Sequence, residues 1–259
     1  MEAVAAPWRL IQHHQETGPF NMGLDEAALR TASEHGIATL RLYTWAGPWL
    51  SLGYAQRQLA DERRTACERA GIGIVRRTTG GRAVLHGRDL TYSLAAPEGG
   101  LRNSYDQVAT ALLRAIRSLG AEQARRVPAL RGAAPSKNFD CFAEPAGDEI
   151  VVQTEKLVGS AQRRRGGAVL QHGSIRVAAD PAAVAVAAGI DPAASVSLTE
   201  LGVETSEEIL REALVTCFSQ VLGVEFSPAE PELRELEQAR ARADLHREDC
   251  LAAPSSKTV

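Results

Sequence analysis

Apolar residues along this chain recur at intervals of three and four in some stretches and at alternate positions in others, and the switches between the two spacings mark out its elements. Near the N-terminus Asn21 is placed to cap a helix that continues through Leu24, Asp25, Ala28 and Leu29 and stops near Gly36. Strands follow at Thr39 to Trp45 and Trp49 to Tyr54. Leu40, Leu42, Tyr43 and Trp45 precede a Gly47-Pro48 turn, which predicts a hairpin. A helix from about Leu59 to Ala70 ends at Gly71, Ile72 to Val75 opens another strand, and Arg82 to His86 and Leu90 to Leu94 read as two more. Ser104 and Gln107 form a capping box ahead of Val108, Leu112, Ile116 and Leu119, the clearest helix in the chain, which Gly120 stops.

From Val127 to Pro145 the pattern dissolves into Pro, Gly, Ala, Asn and Asp, and irregular segments of that length are usually functional or mobile. Strands return at Glu149 to Val152, Lys156 to Ser160 and Ala168 to Ile175. The last third reads as helical. Thr205 and Glu208 make a second capping box before Ile209, Leu210, Leu214, Phe218 and Val221, and Ser227, Pro228 and Glu230 start a further helix with proline in first position. The final helix is heavily charged and expected to be exposed. With no internal repeat and no linker, the reading is one mixed α+β domain over residues 1–250, with a disordered tail over 251–259.

Composition narrows the function classes. The chain has 259 residues, 44% of them hydrophobic, with 29 Lys+Arg against 32 Asp+Glu and a formal net charge of -3. A chain of this length buries roughly three quarters of its unfolded surface, so core size is not limiting. The missing basic field argues against a nucleic-acid partner. The longest uncharged apolar run, Ala182 to Ile190, is about half of the ~20 residues a membrane span needs. Four cysteines without a CxxC pair, and a start lacking the charge and apolar core of a signal peptide, lead us to expect a cytoplasmic protein with reduced thiols and no metal site. Lysine occurs only at positions 137, 156 and 257, the other 26 cationic residues being arginine, so a retained lysine is informative.

Three places carry candidate chemistry. Arg76-Arg77-Thr78-Thr79-Gly80-Gly81-Arg82 leads into His86, and the glycines permit the close backbone approach that turns N–H groups toward a phosphate or carbonyl oxygen. A bare Gly-Gly also suits a tight turn; the arginines and His86 weigh against that plainer reading. Lys156 heads a strand followed by Gly159 and Ser160, where a lysine has little packing reason to be and an ammonium can stabilise an oxyanion or a thiolate; a solvated hairpin lysine is the alternative. Cys141 sits in a polar irregular stretch, whereas Cys67 and Cys217 fall in helical patterns as small core hydrophobes and Cys250 belongs to the tail. His172 suits a base, an orienting donor or a satisfied strand histidine, His13 and His14 are expected at the surface, and Arg163 to Arg165 read as a solvated turn that also suits an acidic partner.

Taken together, Asn21 to Ala27, Leu40 to Trp45 with Ser51-Leu52-Gly53-Tyr54, Arg76 to His86, Asp89 to Leu94, Lys156 to Gln162 and Gln171 to Ile175 resemble the lipoate/octanoate branch of the biotin and lipoate protein ligase family, in family order over roughly residues 8 to 240. The resemblance implies a mixed β-sheet flanked by helices. Cys141-Phe142, Pro145 and Glu149 to Val152 look like the cysteine-bearing segment of the octanoyl-acyl carrier protein:protein octanoyltransferases. Cys141 is then the nucleophile that takes the acyl group as a thioester, and Lys156 assists. Thr79, Gly80, Gly81, Gly159 and Ser160 would line the acyl pocket with Arg77 beside them, and His86 and His172 would stand near its mouth.

The implied partners are octanoyl-acyl carrier protein as donor and, as acceptor, lipoyl domains of 2-oxoacid dehydrogenases or the glycine-cleavage H protein, with no cofactor. Two enzymes with the same motifs stay open: an ATP-dependent ligase working through an acyl-adenylate, and an amidotransferase moving octanoyl between lipoyl domains. So does a catalytically silent binding module. One departure concerns the turn before the lysine, which is commonly glycine-bearing in the family and here reads Gln153-Thr154-Glu155, so the placement of Lys156 depends on how it closes.

Overall fold

The computed structural model describes residues 8–100, 104–128, 138–144 and 146–251. The first half of the chain forms β1 (Trp8–Glu16), α1 (Gly18–His35), β2 (Thr39–Trp45), β3 (Trp49–Leu52), α2 (Asp61–Arg69), β4 (Gly73–Arg76), β5 (Val84–His86), β6 (Asp89–Pro97) and α3 (Ser104–Ser118). After it come β7 (Arg125–Arg126), β8 (Ile150–Val152), β9 (Glu155–Arg165), β10 (Ala168–Arg176), α4 (Ala182–Ala188), α5 (Glu207–Leu222), β11 (Phe226–Pro228) and α6 (Leu233–Leu251). Among the described residues no helix is long and apolar enough to cross a membrane.

An eight-stranded sheet runs in the order β11-β1-β2-β6-β10-β9-β8-β7, parallel at β11/β1 and β1/β2 and antiparallel elsewhere; β4-β3-β5 form a separate small sheet. Side chains alternate across a strand, and here the alternation separates two environments. Leu40 and Leu42 of β2 and Leu90, Tyr92 and Leu94 of β6 join Val108, Leu112 and Ile116 of α3 and Leu210, Leu214 and Phe218 of α5 in the largest apolar core. Ala95 of β6 and Ala168 and Leu170 of β10 pack instead with Ala28, Leu29 and Ala32 of α1. A third core, under the small sheet, joins Leu50 and Leu52 to Cys67 of α2 and Ala185 and Ala188 of α4.

Several local expectations give way to tertiary ones. Asn21 does not cap α1: Thr17 holds the N-cap position, and Asn21 is a buried residue inside the helix whose amide donates to the carbonyls of Glu16 and Thr44. Gly36 does end it, with φ 69°. β2 and β3 are not a hairpin, since β3 pairs in parallel with β4 and antiparallel with β5. Gly18 and Gly73 leave the space into which the Trp49 ring packs as the chain turns away. In α5 the capping hydroxyl belongs to Ser206, which accepts from Ile209 N–H, rather than to Thr205.

Ser227 and Pro228 lie in the edge strand β11, and the next helix starts at Leu233. The final helix is not simply exposed: Ala239 is fully buried against α1, where Gly23 has no side chain to obstruct its backbone, and Glu235 is buried taking hydrogen bonds from Arg9 and Thr31. α6 runs to Leu251 and includes Cys250, and residues 252–259 of the expected tail lie outside the described residues. Strand β1 escaped the pattern altogether, and His13 on it is half-buried.

Candidate active site

The α1-facing side of the central strands is not apolar all along. Arg41 and Tyr43 on β2, Thr91 and Ser93 on β6, and His172 and Ser174 on β10 are buried there. Burying such groups is tolerable only if they satisfy one another, and most of their polar atoms, though not Arg41 Nε or Ser93 Oγ, do so around two carboxylates. Asp25, delivered by α1 and fully buried, pairs with the Arg41 guanidinium, accepts from the Tyr43 hydroxyl at 3.0 Å and lies 2.8 Å from His172 Nδ1. Burial alone would raise its carboxyl; Arg41 and the His172 hydrogen bond outweigh it and hold it below the ordinary range.

Burial pushes the His172 imidazole down, against the pull of Asp25. In the neutral ring Nδ1–H donates to Asp25, and Nε2, 2.6 Å from Thr79 Oγ1, accepts from that hydroxyl.

Asp89 repeats the arrangement one strand away. Its Oδ2 lies 2.7 Å from His86 Nδ1 and accepts from Ser174 at 2.6 Å and Thr91 at 3.0 Å, while Oδ1 accepts from Gly87 N–H. Burial is again outweighed, chiefly by His86, and the carboxyl is held down to about 2. On the far side of its ring His86 meets Ser51 Oγ at 2.7 Å, and Arg77 donates to the same oxygen, to the Ser51 carbonyl and to the carbonyls of Gly80 and Arg82. Arg77 thus braces the glycine loop from within. Gly53 lies so close to Gly81 that a Cβ there would collide with the Gly81 carbonyl, which accounts for the glycine in Ser51-Leu52-Gly53-Tyr54.

Asp89 gives a pH dependence of stability. Its folded value of about 2 lies below the unfolded ~3.9, so the gain is complete above pH ~4 and is lost as the pH falls toward 2, an effect of about 2 kcal/mol. Urea unfolding at pH 5, 4 and 3 is expected to show that decline, and Asp89→Asn to flatten it; an unchanged slope in the variant would remove Asp89 as its source.

Cys141 reaches this region because its segment bridges to β5's leading residue: Cys141 N–H donates to Ala83 O, and Ala83 N–H to Phe139 O. Lys156 comes from β9, its side chain 1% exposed, and its Nζ donates to Cys141 O at 2.7 Å, pairs with Glu149 at 2.5 Å and stands 3.5 Å from Cys141 Sγ. Those contacts account for the three donors of an ammonium. A Cβ on Gly159 would press on Lys156 Cε at 2.9 Å, so the glycine makes room for the lysine.

The turn preceding Lys156 closes without glycine because Gln153 takes φ 54°. A side chain in that region costs roughly 1–2 kcal/mol. Gln153→Gly relieves it while adding unfolded-state freedom, so a net gain of about 0.5 kcal/mol is expected in urea unfolding; a loss of stability would mean the turn is not strained.

Two cavities meet at the sulfur. One is narrow, largely apolar and lined by Met22, Tyr43, Trp45, Val84, Gly159 and Ala161, with Cys141, Ser160, Arg77, His86 and His172 also on its wall. Trp45 stacks on His86 with ring centroids 4.0 Å apart. The other is the more polar of the two and is lined by Gly80, Gly81, Arg82, Glu144, Glu149 and Lys156; Cys141, Ser160 and Ala161 belong to both.

Cys141, Lys156, Arg77, His86, Gly159, Ser160 and His172 therefore all lie on the walls of these two cavities. Three expectations shift. Gly80 and Gly81 border the polar cavity rather than the apolar one, Thr79 is buried behind the wall on His172, and His86 and His172 are buried wall residues rather than groups at a mouth. Asp25, Arg41, Asp89 and Glu149 have no signal of their own; the spacing of Asp89 three residues after His86, and an acid within the apolar face of α1, are the only hints. Arg163, expected in a solvated turn, lies in β9 and donates to the carbonyl and hydroxyl of Thr78. Among the described residues no group of three or more His, Cys, Asp and Glu side chains is arranged to hold a metal ion.

Comparison with known proteins agrees with this geometry. Residues 17–230 match the lipoyl protein ligase A/B catalytic domain. The chain is 38% identical over 256 residues to octanoyltransferase LipM of Kyrpidia tusciae, covering 90% of this chain and 93% of that one. It is 35% identical over 261 residues to octanoyltransferase LipM of Moorella thermoacetica, covering 92% and 96%. The fold is similar to lipoate-protein ligase A bound with ATP, at TM-score 0.77, 24% identity and coverage of 92% and 94%. It is also similar to a bipartite lipoate protein ligase from Thermoplasma acidophilum, at TM-score 0.72, 22% identity and coverage of 96% and 99%. With the match spanning the strands, the glycine loop, Cys141 and Lys156, the chain belongs to the lipoyl protein ligase A/B catalytic domain family.

Proposed function

We propose that this protein transfers an octanoyl group from octanoyl-acyl carrier protein to a lysine of a lipoyl domain or H protein, through a thioester on Cys141, in the biosynthesis of protein-bound lipoate. The acyltransferase activity follows from relatives named octanoyltransferase at 35–38% identity over nine tenths of the chain. The thioester route rests on one observation: Cys141 Sγ stands where an apolar cavity meets a polar one, 3.5 Å from a buried lysine. The apolar lining of the one suits an alkyl tail, and the charged lining of the other suits the approach of thiol and amine.

In the first step the Cys141 sulfur attacks the donor's acyl carbon; a C–S bond forms, the donor's C–S bond breaks, and the carrier thiol leaves with the proton. Thioester replaces thioester, so this step is nearly isoergic. In the second, the acceptor's neutral ε-amine attacks the acyl carbon, a C–N bond forms, the bond to Sγ breaks, and the sulfur recovers a proton. The amide is far more stable than the thioester, which sets the overall direction. Lys156 Nζ stands 3.5 Å from the sulfur, where its charge favours the thiolate that attacks in the first step and leaves in the second.

Intact-mass spectrometry of the protein mixed with octanoyl-acyl carrier protein, without ATP, tests the route. The expected result is one octanoyl adduct, labile to added thiol and absent from Cys141→Ala. No adduct, with acceptor octanoylation appearing only when octanoate and ATP are supplied, would replace the thioester route by an adenylating one.

A further inference from the structure

Glu149 is a charged group at the junction that the steps above leave without a task. It precedes β8, on the arm of the hairpin facing Lys156, and its side chain is 6% exposed. Its two oxygens reach different parts of the site. One is 2.5 Å from Lys156 Nζ, and the other accepts from Ala146 N–H at 2.5 Å, at the end of the segment that carries Cys141. Lys156 in turn holds the Cys141 carbonyl at 2.7 Å, so a single ion pair grips the segment at both ends.

We propose that Glu149 is a positioning residue of the transfer reaction, clasping the Cys141 segment and balancing the charge of Lys156 beside the sulfur. This rests on the acyl-enzyme reading. With its counterion 2.5 Å away, the buried ammonium stays at a fixed point between sulfur and carbonyl. Without it, the ammonium keeps the sulfur and the Cys141 carbonyl as its close partners, and Asp140 remains as a carboxylate that feels its charge. The other charged or titratable groups facing the cluster are Asp140 and Glu144 on the same segment, Asp148 beside Glu149, Arg77 and Arg82 from the glycine loop, Tyr105 from α3 and Arg176 from β10. Burial pushes the Glu149 carboxyl above its ordinary range while Lys156 pulls it back, so removing Lys156 shifts it further toward the neutral form and weakens its influence.

The test follows the pH dependence of Cys141 alkylation by iodoacetamide in the full chain, read on the Cys141 peptide by mass spectrometry, beside the rate of octanoyl transfer. Glu149→Gln removes an anion next to the sulfur, so the alkylation midpoint is expected to fall by about one pH unit. Transfer is expected to drop at least about tenfold as the ammonium leaves its place. In a Lys156→Ala background the same substitution is expected to move the midpoint by less than about 0.3 unit. Glu149→Asp keeps the charge and is expected to keep the wild-type midpoint.

An unmoved midpoint in Glu149→Gln, or an equal shift with and without Lys156, would overturn the proposal and leave Glu149 a packing residue. Should Glu149→Gln not fold, Glu149→Asp decides: a wild-type midpoint supports the clasp, and one displaced by a full unit defeats it. Alkylation needs no acyl donor, so failure to form an acyl-enzyme would end the thioester reading while leaving this measurement intact.

Discussion

Replacing Cys141 with alanine is expected to slow octanoyl transfer by at least about 10³-fold, a loss of about 4 kcal/mol of transition-state stabilisation. The reason is that the proposed two-step path disappears. On that reading the acceptor amine would have to attack the donor's acyl group directly, with no acyl-enzyme to hold it in place. Little else changes, because the sulfur is half-buried and the loop is held by backbone bonds from Ala83 and by Lys156 on the Cys141 carbonyl, neither of which needs the side chain. The thermal midpoint should therefore stay within about 2 °C of wild type, corresponding to ~0.5–1 kcal/mol. Initial rates of acceptor octanoylation, followed by mass spectrometry, measure the effect. A variant within tenfold of wild type would show that Cys141 is not the group acylated in turnover.

Asp25→Ala is expected to be the most damaging substitution for stability, at about 3–5 kcal/mol and thus a large part of the total for most domains. The asymmetry lies in its partners. Arg41 is 1% exposed and its guanidinium cannot give up its proton, so without Asp25 a full charge stays buried; His172 and Tyr43 lose their acceptor as well. Substituting both members of the pair, with Arg41→Met and Asp25→Leu, should return much of the loss, because an apolar pair of similar volume carries no uncompensated charge. Urea denaturation of the single and double variants separates the two cases. A single variant that loses less than about 1 kcal/mol would mean the guanidinium finds another partner or reaches water.

Strong periodicity explains what the sequence revealed of this fold. β2 has its expected bounds because leucines alternate with residues that face the polar layer, and α3 because its apolar stripe recurs without interruption. The errors came where a local cue serves a distant partner. Asn21 looks like a cap, yet its amide is spent on carbonyls of Glu16 and Thr44; Thr205 and Ser206 are adjacent hydroxyls, and only the backbone path picks the second. The Gly47-Pro48 turn was read correctly as a turn, but which strand β3 joins depends on β4 and β5, tens of residues away. Cys141 and Lys156 stood out chemically, the lysine through its rarity. Glu149 and the two aspartates did not, since an acid in a charged chain says nothing until its burial is known.

Gly53, Gly159 and Gly173 each sit where a methyl group would strike backbone or an anchored side chain: the Gly81 carbonyl, Lys156 and the Gly159 carbonyl with Tyr92, respectively. Parts of the site's walls are therefore built from main chain already at its minimum size. Evolution can narrow such a chamber with side chains from elsewhere, but it cannot widen it by pruning these positions, because nothing is left to remove. A lineage under selection for a roomier chamber has its freedom at Met22, since Tyr43 and Trp45, the other large lining residues, are held by Asp25 and by Thr91 and His86.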